Sequence, residues 1–321
     1  MQVSDYQVQT LEGWRHATLV HDRERSRVLL LEGGKDYAKL VKGSACVRED
    51  PGANRELAVW LARSRRSWEH LRQQTHPGLL RVGERVIDNY GDEGYLCQAL
   101  TVHELDDPQH PARRNLRAFL ECAIQLSRAV GVMHRAGFVH GDITPGNVCF
   151  YQERPVLIDF EMTVKIGQYV SVEARDPHYR KICCTPECCS PEQILRRPVT
   201  PASDVYCLGL TLLSWASKVF GVADAFSKQS TRDSMGLCAR ADYPHWDVVE
   251  TRLKEADVIS VLGRAIQLVP WDRYPNGDSL AEDLEGVLEE LPDGALAQSL
   301  DEGSASALDS TNNLTFCLEH T

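Results

Sequence analysis

The chain has 321 residues, of which 43% are hydrophobic and 25% charged, and this composition is typical of a globular protein rather than a disordered one. Its formal net charge is −11 and no segment is dominated by basic residues, which argues against nucleic acid as a partner. Residues 1–22 lack the apolar core of a secretion signal, and the most apolar stretch, residues 206–220, is interrupted by Ser214, Ser217 and Lys218. We therefore expect a cytoplasmic protein that does not enter a membrane.

The N-terminal third predicts strands around one long helix. Apolar residues recur at helical spacing between residues 54 and 74, with Arg and Ser on the remaining positions. Runs rich in β-forming residues, separated by turn residues such as Gly33 and Gly34, predict strands at 27–32, 37–41, 79–87 and 94–100. This part of the chain is therefore expected to be mainly β.

From residue 115 onward the pattern becomes helical. Helices are predicted at 115–137, 203–219, 258–267 and 279–291. Mostly strands followed by mostly helices indicates an α+β protein in two lobes. Residues 293–321 are rich in Ser, Asp and Asn with few large apolar side chains, so a flexible C-terminal tail is expected.

Four of the eleven cysteines lie close together, at Cys183, Cys184, Cys188 and Cys189. Four neighbouring thiols could ligate zinc or undergo reversible oxidation, although adjacent Cys pairs are not the usual zinc spacing. A third interpretation is that they pack as small reduced hydrophobes. The sequence leaves all three open.

The segment with most chemical information places Asp142 and Asn147 in a polar loop between apolar runs, and Asp159 follows Asn147 by twelve residues. Carboxylate and carboxamide oxygens suit Mg²⁺, which prefers a few protein ligands plus phosphate oxygens. A further carboxylate can orient a hydroxyl and accept its proton. The pattern favours phosphoryl transfer, which needs charge placed around a phosphate and an aligned nucleophile.

These residues resemble the catalytic loop, His-Arg-Asp-x-x-x-x-Asn, and the Asp-Phe-Gly motif of the protein-kinase family. The resemblance implies that Asp142 is the catalytic Asp and that Asn147 and Asp159 bind Mg²⁺ or Mn²⁺. It also implies ATP as the phosphate donor.

Two segments of the N-terminal third add to the resemblance. The run ending in Lys39-Leu40-Val41 is similar to the family's third-strand Val-Ala-Ile-Lys motif, which implies that Lys39 holds the α- and β-phosphates. Residues 96–100 resemble the hinge, which implies that the backbone of Gln98, Ala99 and Leu100 meets adenine.

Three segments of the C-terminal half also match. Residues 184–192 are similar to the end of the activation segment, Gly-Thr-Pro-x-Tyr-x-Ala-Pro-Glu, and residues 203–209 to the start of the central helix. The resemblance implies that Asp204 ties down the catalytic-loop backbone. It also implies that Glu192 and Arg273 form a structural ion pair.

The chain departs from the family at several positions. Gly141 stands in place of the Arg that couples to an activation-segment phosphate, so activity is not expected to need that phosphorylation. Thr144 stands where Ser/Thr kinases usually carry Lys, and Glu161 replaces the Gly of Asp-Phe-Gly. Gly13, in residues 11–19, is the best candidate for a glycine-rich loop, although the family usually shows three glycines there.

The acidic partner of Lys39 is a choice between two glutamates of the predicted helix. Glu69 is preferred over Glu56, although neither lies at the family's usual distance from the following His-Pro. A solvated helix carboxylate is the alternative for both.

Together these features predict a bilobal protein-kinase-like fold: a small, mainly β N-lobe with helix C (1–97), a larger, mainly α C-lobe (98–292) and the tail (293–321). The predicted function is a Ser/Thr protein kinase that transfers the γ-phosphate of Mg-ATP to a protein hydroxyl. A pseudokinase or ATP-binding scaffold and an atypical kinase with a small-molecule substrate are the alternatives.

Overall fold

The chain divides into two compact units, with the boundary between Thr101 and Val102. The computed structural model describes residues 6–22, 25–49, 55–103, 107, 109–170, 188–219 and 257–291. The predicted tail at 293–321 lies outside the described residues, as do Cys183 and Cys184. Each unit is taken separately below.

The first unit is a closed antiparallel barrel. Its strands are β1 (Tyr6–Thr10), β2 (Gly13–Asp22), β3 (Ser26–Leu31), β4 (Asp36–Val41), β5 (Val82–Asp88) and β6 (Glu93–Gln98). They are hydrogen-bonded in the order β1-β2-β3-β4-β6-β5, and a short pairing of β1 with β5 closes the barrel. Helices α1 (Ser44–Glu49) and α2 (Arg55–Leu71) connect β4 to β5.

Alternation along the strands separates two apolar layers, because successive side chains of a strand point to opposite faces. The barrel interior is filled by Tyr6, Val8, Leu29, Leu31, Ala38, Leu40, Val86 and Leu96. On the other face, Val41 of β4 packs with Val47 and with Leu61 of α2. Helix α2 is thereby held on the outside of the β4–β6 pair.

The second unit is mainly helical. Its elements are α3 (Leu116–Arg135), β7 (Phe138–Val139), β8 (Val148–Tyr151), β9 (Arg154–Leu157), β10 (Val164–Lys165), α4 (Pro191–Ile194), α5 (Pro201–Val219), α6 (Val258–Ala265) and α7 (Gly277–Glu290). The α5 side chains from Ala202 to Ala216 are buried, as expected for a core helix. Within the described residues, no helix combines the length and the apolar character that crossing a membrane requires.

Helices α3 and α7 pack closely because small residues meet at their contact. A Cβ added to Gly277 would lie 2.5 Å from the Ser127 carbonyl oxygen. Beside this contact, Arg128 donates to Glu285 at 2.7 Å. The N-terminus of α3 is capped by Asn115, whose side chain accepts the Ala118 N–H at 2.8 Å.

His110, which precedes α3 in the chain, lies in a buried aromatic cluster. Its ring centroid is 4.9 Å from that of Phe150 and 5.3 Å from that of Trp215. Its Nδ1 accepts the N–H of Ala112 at 3.2 Å. Burial, with smaller contributions from the charges of His103 and Arg113, lowers the pKa of His110 from 6.5 to about 4.

The depressed pKa of His110 predicts a loss of stability in acid. The unfolded chain takes up a proton at this side chain below pH 6.5 while the folded chain does not, so stability is complete above that pH and falls towards pH 4. The expected loss at pH 4 is about 3 kcal/mol. Urea unfolding of the wild type and of His110→Gln at several pH values measures it, and parallel profiles for the two proteins would contradict it.

The close contact between β4 and β6 generates a second prediction. A Cβ at Gly94 would lie 1.9 Å from the Lys39 carbonyl oxygen and 2.7 Å from the Leu40 Cα. Gly94→Ala is therefore expected to lower the free energy of unfolding by about 3 kcal/mol. The matched control is Gly286→Ala in α7, where nothing lies within 4 Å of the added Cβ and where alanine should raise stability by about 1 kcal/mol. Equal urea midpoints for the two variants would refute the steric explanation.

Candidate active site

A buried carboxylate on α5 holds the backbone of the loop that follows β7. Asp204 accepts the backbone N–H of His140 at 2.7 Å and that of Gly141 at 2.9 Å. It also contacts His134 Nε2 at 3.1 Å, and its side chain is 1% exposed. The predicted role of Asp204 in fixing the catalytic-loop backbone is therefore confirmed.

His134 extends this anchor to the start of α7. Its Nδ1 accepts the N–H of Gly277 at 3.1 Å. Because Nδ1 acts as the acceptor, a neutral ring carries its proton on Nε2 and donates it to Asp204. The carboxylate thus receives three donors, which offsets the cost of burying it.

Gly141 is required by the shape of the loop. Its φ is +81°, and an added Cβ would lie 2.8 Å from the Met162 carbonyl oxygen. Its own carbonyl accepts Nε2 of Gln193 at 2.6 Å. A side chain at this position would clash with the backbone, and a residue other than glycine would be strained at this φ. Both reasons account for glycine where the family carries Arg.

Asp142 and Asn147 form a hydrogen-bonded pair at the centre of the site. Asn147 Nδ2 donates to the Asp142 backbone oxygen at 2.8 Å and to its Oδ2 at 3.0 Å. Both residues are buried. The pair fixes the Asp142 carboxylate in one orientation and directs the Asn147 Oδ1 away from Asp142.

Asp159 is brought next to this pair by backbone hydrogen bonds of its neighbour, Ile158. The Ile158 N–H donates to the Asn147 carbonyl at 2.9 Å, and the Ile158 carbonyl lies 3.0 Å from His140 Nε2. Asp159 itself is left-handed, at φ 62° and ψ 71°. Asn and Asp tolerate this conformation better than most residues, and here it occurs two residues after the end of β9.

The short turn after Asp159, Phe160–Met162, holds the residues that depart from Asp-Phe-Gly. The Phe160 ring packs edge-on against His140 with centroids 4.9 Å apart. Glu161 is buried at 4% exposure, where the family carries Gly. The turn is therefore packed into the unit.

The donor set fits a hard divalent cation. Asn147 offers Oδ1 because its Nδ2 is committed to Asp142, and Asp159 offers a carboxylate; both are oxygen ligands of the type that Mg²⁺ prefers. The part of the chain that the structure describes contains no group of three or more His, Cys, Asp or Glu side chains that could hold a metal. Two protein oxygen ligands suit Mg²⁺, which takes its remaining ligands from phosphate and water.

The predicted ion pair of Glu192 and Arg273 is confirmed. Arg273 donates to the two carboxylate oxygens of Glu192 at 2.9 and 3.4 Å. Its other donors bond the carbonyls of Ala202, Gln267 and Leu268, so all five guanidinium N–H groups are used. The pair fixes the start of α4 to the segment before α7.

Lys39 lies in the first unit, in the middle of β4. It is opposite Val28 on β3 and Tyr95 on β6, and it is half-buried. Its side chain points to the face of β4 that carries Tyr37 and Val41, the face on which α2 packs. Its convergence with Asp142 and Asp159 stays a prediction.

The predicted pairing of Lys39 with Glu69 is not found. Glu69 is exposed on α2, and no ion pair joins these two described residues. The positions of α2 turned inward are Leu61, Ser64 and Ser67. Glu69 is two residues beyond Ser67, about 200° around the helix, and so it faces solvent. The side chain of Glu56 lies outside the described part of the chain.

Gly13 lies in the hairpin between β1 and β2, and not in the hairpin between β2 and β3, the strand that pairs with the Lys39 strand. It begins β2 after the turn from β1, whereas the other end of β2, at Asp22, turns into β3. The ten residues of β2 separate these ends by about 30 Å. Lys42, directly after the Lys39 strand, bonds Asp22 Oδ1 at 2.6 Å.

The order of the strands explains why Gly13 is not in the hairpin next to the Lys39 strand. In the family the lysine is on the third strand, but Lys39 is on β4, because β1 adds a strand at the N-terminus. Counting back from β4, the strand order favours the β2–β3 connection, residues 22–25, over Gly13 as the phosphate-binding hairpin. That connection contains no glycine.

The predicted hinge follows β6. The N–H of Gln98 donates to the Arg81 carbonyl at 3.1 Å, and that of Ala99 to the Lys35 carbonyl at 3.2 Å. Contacts of Gln98 and Ala99 with adenine would therefore use their carbonyl oxygens. Leu100, which follows, is buried.

The four-cysteine segment is described only at its end. Cys188 is buried and is not disulfide-bonded, whereas Cys189 is buried and disulfide-bonded. Cys189 is thus not available as a metal thiolate.

The Asp204 anchor predicts a local change on removal of its charge. Asp204→Asn replaces one acceptor oxygen by a donor, so at least one amide of the loop loses its partner, at a cost of about 2 kcal/mol. Hydrogen exchange at the amides of His140 and Gly141 should accelerate by about tenfold or more. Unchanged exchange at both amides would show that Asp204 does not hold the loop.

Comparison with known proteins identifies the family of the chain. The protein kinase domain family matches residues 85–280, more than half of the chain. The chain is 33% identical over 144 residues to the serine/threonine-protein kinase PknA of Mycobacterium tuberculosis, covering 42% of this chain and 32% of that protein. It is 27% identical over 242 residues to the probable serine/threonine-protein kinase SCO3848 of Streptomyces coelicolor, covering 74% and 35%. The matches thus span about a third of these curated relatives.

A solved structure resembles the chain over most of its length. The crystal structure of the Mycobacterium tuberculosis PknI kinase domain, a double mutant, superposes with a TM-score of 0.56 at 20% identity, covering 85% of this chain and 95% of that one. The likeness confirms the predicted α+β protein-kinase-like fold. From the family match, the fold and the anchored catalytic loop, the chain belongs to the protein kinase domain family.

Proposed function

We propose that the chain is a Ser/Thr protein kinase that transfers the γ-phosphate of ATP to a hydroxyl group of a protein. The observation that carries the proposal is the hydrogen bond of 3.0 Å between Asn147 and the Asp142 carboxylate. The backbone of the loop that holds this pair is fixed by Asp204. Phosphoryl transfer depends on placing charge and aligning the nucleophile, and a buried, pre-oriented carboxylate suits that task.

Each residue of the site has a distinct part in this proposal. Asp142 orients the incoming hydroxyl and takes up its proton, while the hydrogen bond from Asn147 keeps the carboxylate in place. Asn147 and Asp159 hold Mg²⁺ or Mn²⁺, which neutralises phosphate charge when bound. Lys39 holds the α- and β-phosphates, and residues 98–100 contact adenine.

A protein substrate is favoured over a small molecule by the segment after the site. The Glu192–Arg273 pair supports the segment that resembles the end of a kinase activation segment, which small-molecule kinases generally lack. The relatives named above are serine/threonine-protein kinases, which agrees with a hydroxyl acceptor on a protein.

A nucleotide-binding scaffold without transfer is the second candidate. It is favoured by the glycine-free connection at residues 22–25, since backbone amides approach phosphates most closely where there is no Cβ. Glu161, which adds a carboxylate directly after the Asp159-Phe160 pair, also favours it.

Transfer of label from γ-labelled ATP to a generic protein acceptor, with Mg²⁺ or Mn²⁺, tests the proposal. Asp142→Asn and Asp159→Asn are each expected to lower the rate by about a hundredfold or more, since each removes a charge that acts on the reacting groups. The matched control is Asp272→Asn, because Asp272 is exposed. It should retain full activity.

The outcomes separate the candidates. Transfer that is unaffected by Asp159→Asn would refute the metal assignment. Thermal stabilisation by nucleotide without any transfer would support the scaffold instead. Transfer to metabolites but not to protein would indicate a small-molecule kinase.

A further inference from the structure

Helix α2 carries no acidic side chain on the described part of its inward face, yet a carboxylate lies beneath it. The inward positions are occupied by Leu61, Ser64, Ser67 and Leu71, each less than 5% exposed. Glu93, at the start of β6, is buried under the helix with its side chain 6% exposed. Within the described residues, the carboxylate beneath α2 thus belongs to the strand.

Glu93 is bound from both sides by arginines. Arg65 of α2 holds it with two hydrogen bonds, from Nε to Oε1 at 2.6 Å and from a terminal nitrogen to Oε2 at 2.7 Å. Arg85 of β5 donates to Oε1 at 2.6 Å. Bidentate arginine–carboxylate pairs are stronger and more directional than single contacts. The Arg65–Glu93–Arg85 triad thus ties α2 to two strands at once.

The position of Glu93 is itself fixed by its backbone. Its N–H donates to Ser44 Oγ at 2.7 Å, and Ser44 begins α1. Burial alone would raise the pKa of Glu93, but the hydrogen bonds and charges of Arg65 and Arg85 outweigh burial, so the pKa is lowered. The carboxylate is therefore ionised at neutral pH in a prepared position.

A neighbouring contact holds the same part of the helix. Trp68, one turn after Arg65, donates its indole N–H to the Gly83 carbonyl at 2.9 Å. The guanidinium of Arg85 lies 5.9 Å from the centre of the Trp68 ring. Two independent side chains of α2 thus reach β5 and β6, which fixes its rotation and its height on the sheet.

We propose that Glu93 is a positioning residue that sets helix α2 for phosphoryl transfer through its bidentate contact with Arg65. Lys39 is opposite Tyr95, and Glu93 is two residues before Tyr95, so Glu93 and Lys39 lie diagonally on one face of the β4–β6 pair. The contact with Arg65 therefore binds helix α2 to the face of the sheet that carries Lys39. This inference rests on the proposed kinase function for its catalytic consequence, but the tether itself does not.

The test uses the full chain with Glu93→Gln and Arg65→Gln, and Arg66→Gln as the matched control. Arg66 neighbours Arg65 on α2 but is exposed. Hydrogen exchange at the amides of 57–71 should accelerate about tenfold in the first two variants and stay within about twofold of wild type in Arg66→Gln. The turnover number for phosphate transfer should fall about tenfold with a smaller change in the KM for ATP.

A double variant and a conservative variant test further whether Arg65 and Glu93 act through the same interaction. The double variant Arg65→Gln/Glu93→Gln should be no worse than either single variant, because both remove the same interaction. Arg65→Lys should recover part of the activity, because it keeps the charge but not the bidentate geometry. A variant that fails to fold is recognised by exchange in the barrel strands, and Arg65→Gln is the safer of the two because its side chain is 41% exposed.

Several results would overturn the proposal. Unchanged exchange at 57–71 in both variants would show that the triad does not hold α2. Faster exchange with an unchanged turnover number would make Glu93 structural only. A larger loss of turnover from Glu56→Gln or Glu69→Gln than from Glu93→Gln would assign the positioning role to a helix glutamate instead. If the wild type transfers no phosphate, the proposed function fails, while the exchange comparison still decides whether Glu93 holds the helix.

Discussion

The buried carboxylate of Asp204 is the contact on which the candidate site depends. It lies on α5, whose side chains from Ala202 to Ala216 are buried, and it receives two consecutive backbone amides of the loop that carries Asp142. A polar group so deeply buried is stable only when hydrogen-bond partners surround it, and the loop must adopt one shape to supply them. Packing of the helical core is thus transmitted directly to the geometry of the Asp142 carboxylate.

The first unit also contains a buried carboxylate whose oxygens accept hydrogen bonds from several donors. There Glu93 is held by Arg65 and Arg85 rather than by backbone amides. The two carboxylates differ in what they fix: Asp204 fixes a loop, and Glu93 fixes a helix on a sheet. Removal of one of these donors is costly because the buried carboxylate is then left without that hydrogen-bond partner.

Departures from the family pattern become intelligible once local geometry is known. Gly141 occupies a left-handed position against the Met162 carbonyl, so the missing Arg reflects a loop that has no room for a Cβ. The predicted helix glutamate, Glu69, is exposed, while serines occupy the described part of the inward face of α2 and the strand residue Glu93 binds the helix through Arg65. The single glycine near the N-terminus belongs to a hairpin created by an additional strand, β1.

Much of the fold could be predicted locally. The strands around Lys39 and the helices α3, α5, α6 and α7 were predicted within a few residues, because apolar periodicity and turn residues are local signals. Strands β1 and β2 were missed, since β2 alternates between half-exposed and exposed residues and carries no apolar face strong enough to identify it. Their pairing, and the closure of the barrel, depends on partners distant in sequence.

The sequence alone led to the proposed chemistry: the spacing of Asp142, Asn147 and Asp159 and the residue types around them predict phosphoryl transfer. It also predicted the Glu192–Arg273 pair and the role of Asp204, because each lies in a recognisable motif. Tertiary structure decided which glutamate faces the helix, which hairpin adjoins the lysine strand and why Gly141 has no side chain. Those features arise from register, helix rotation and backbone contact between segments far apart in the chain, and no local pattern encodes them.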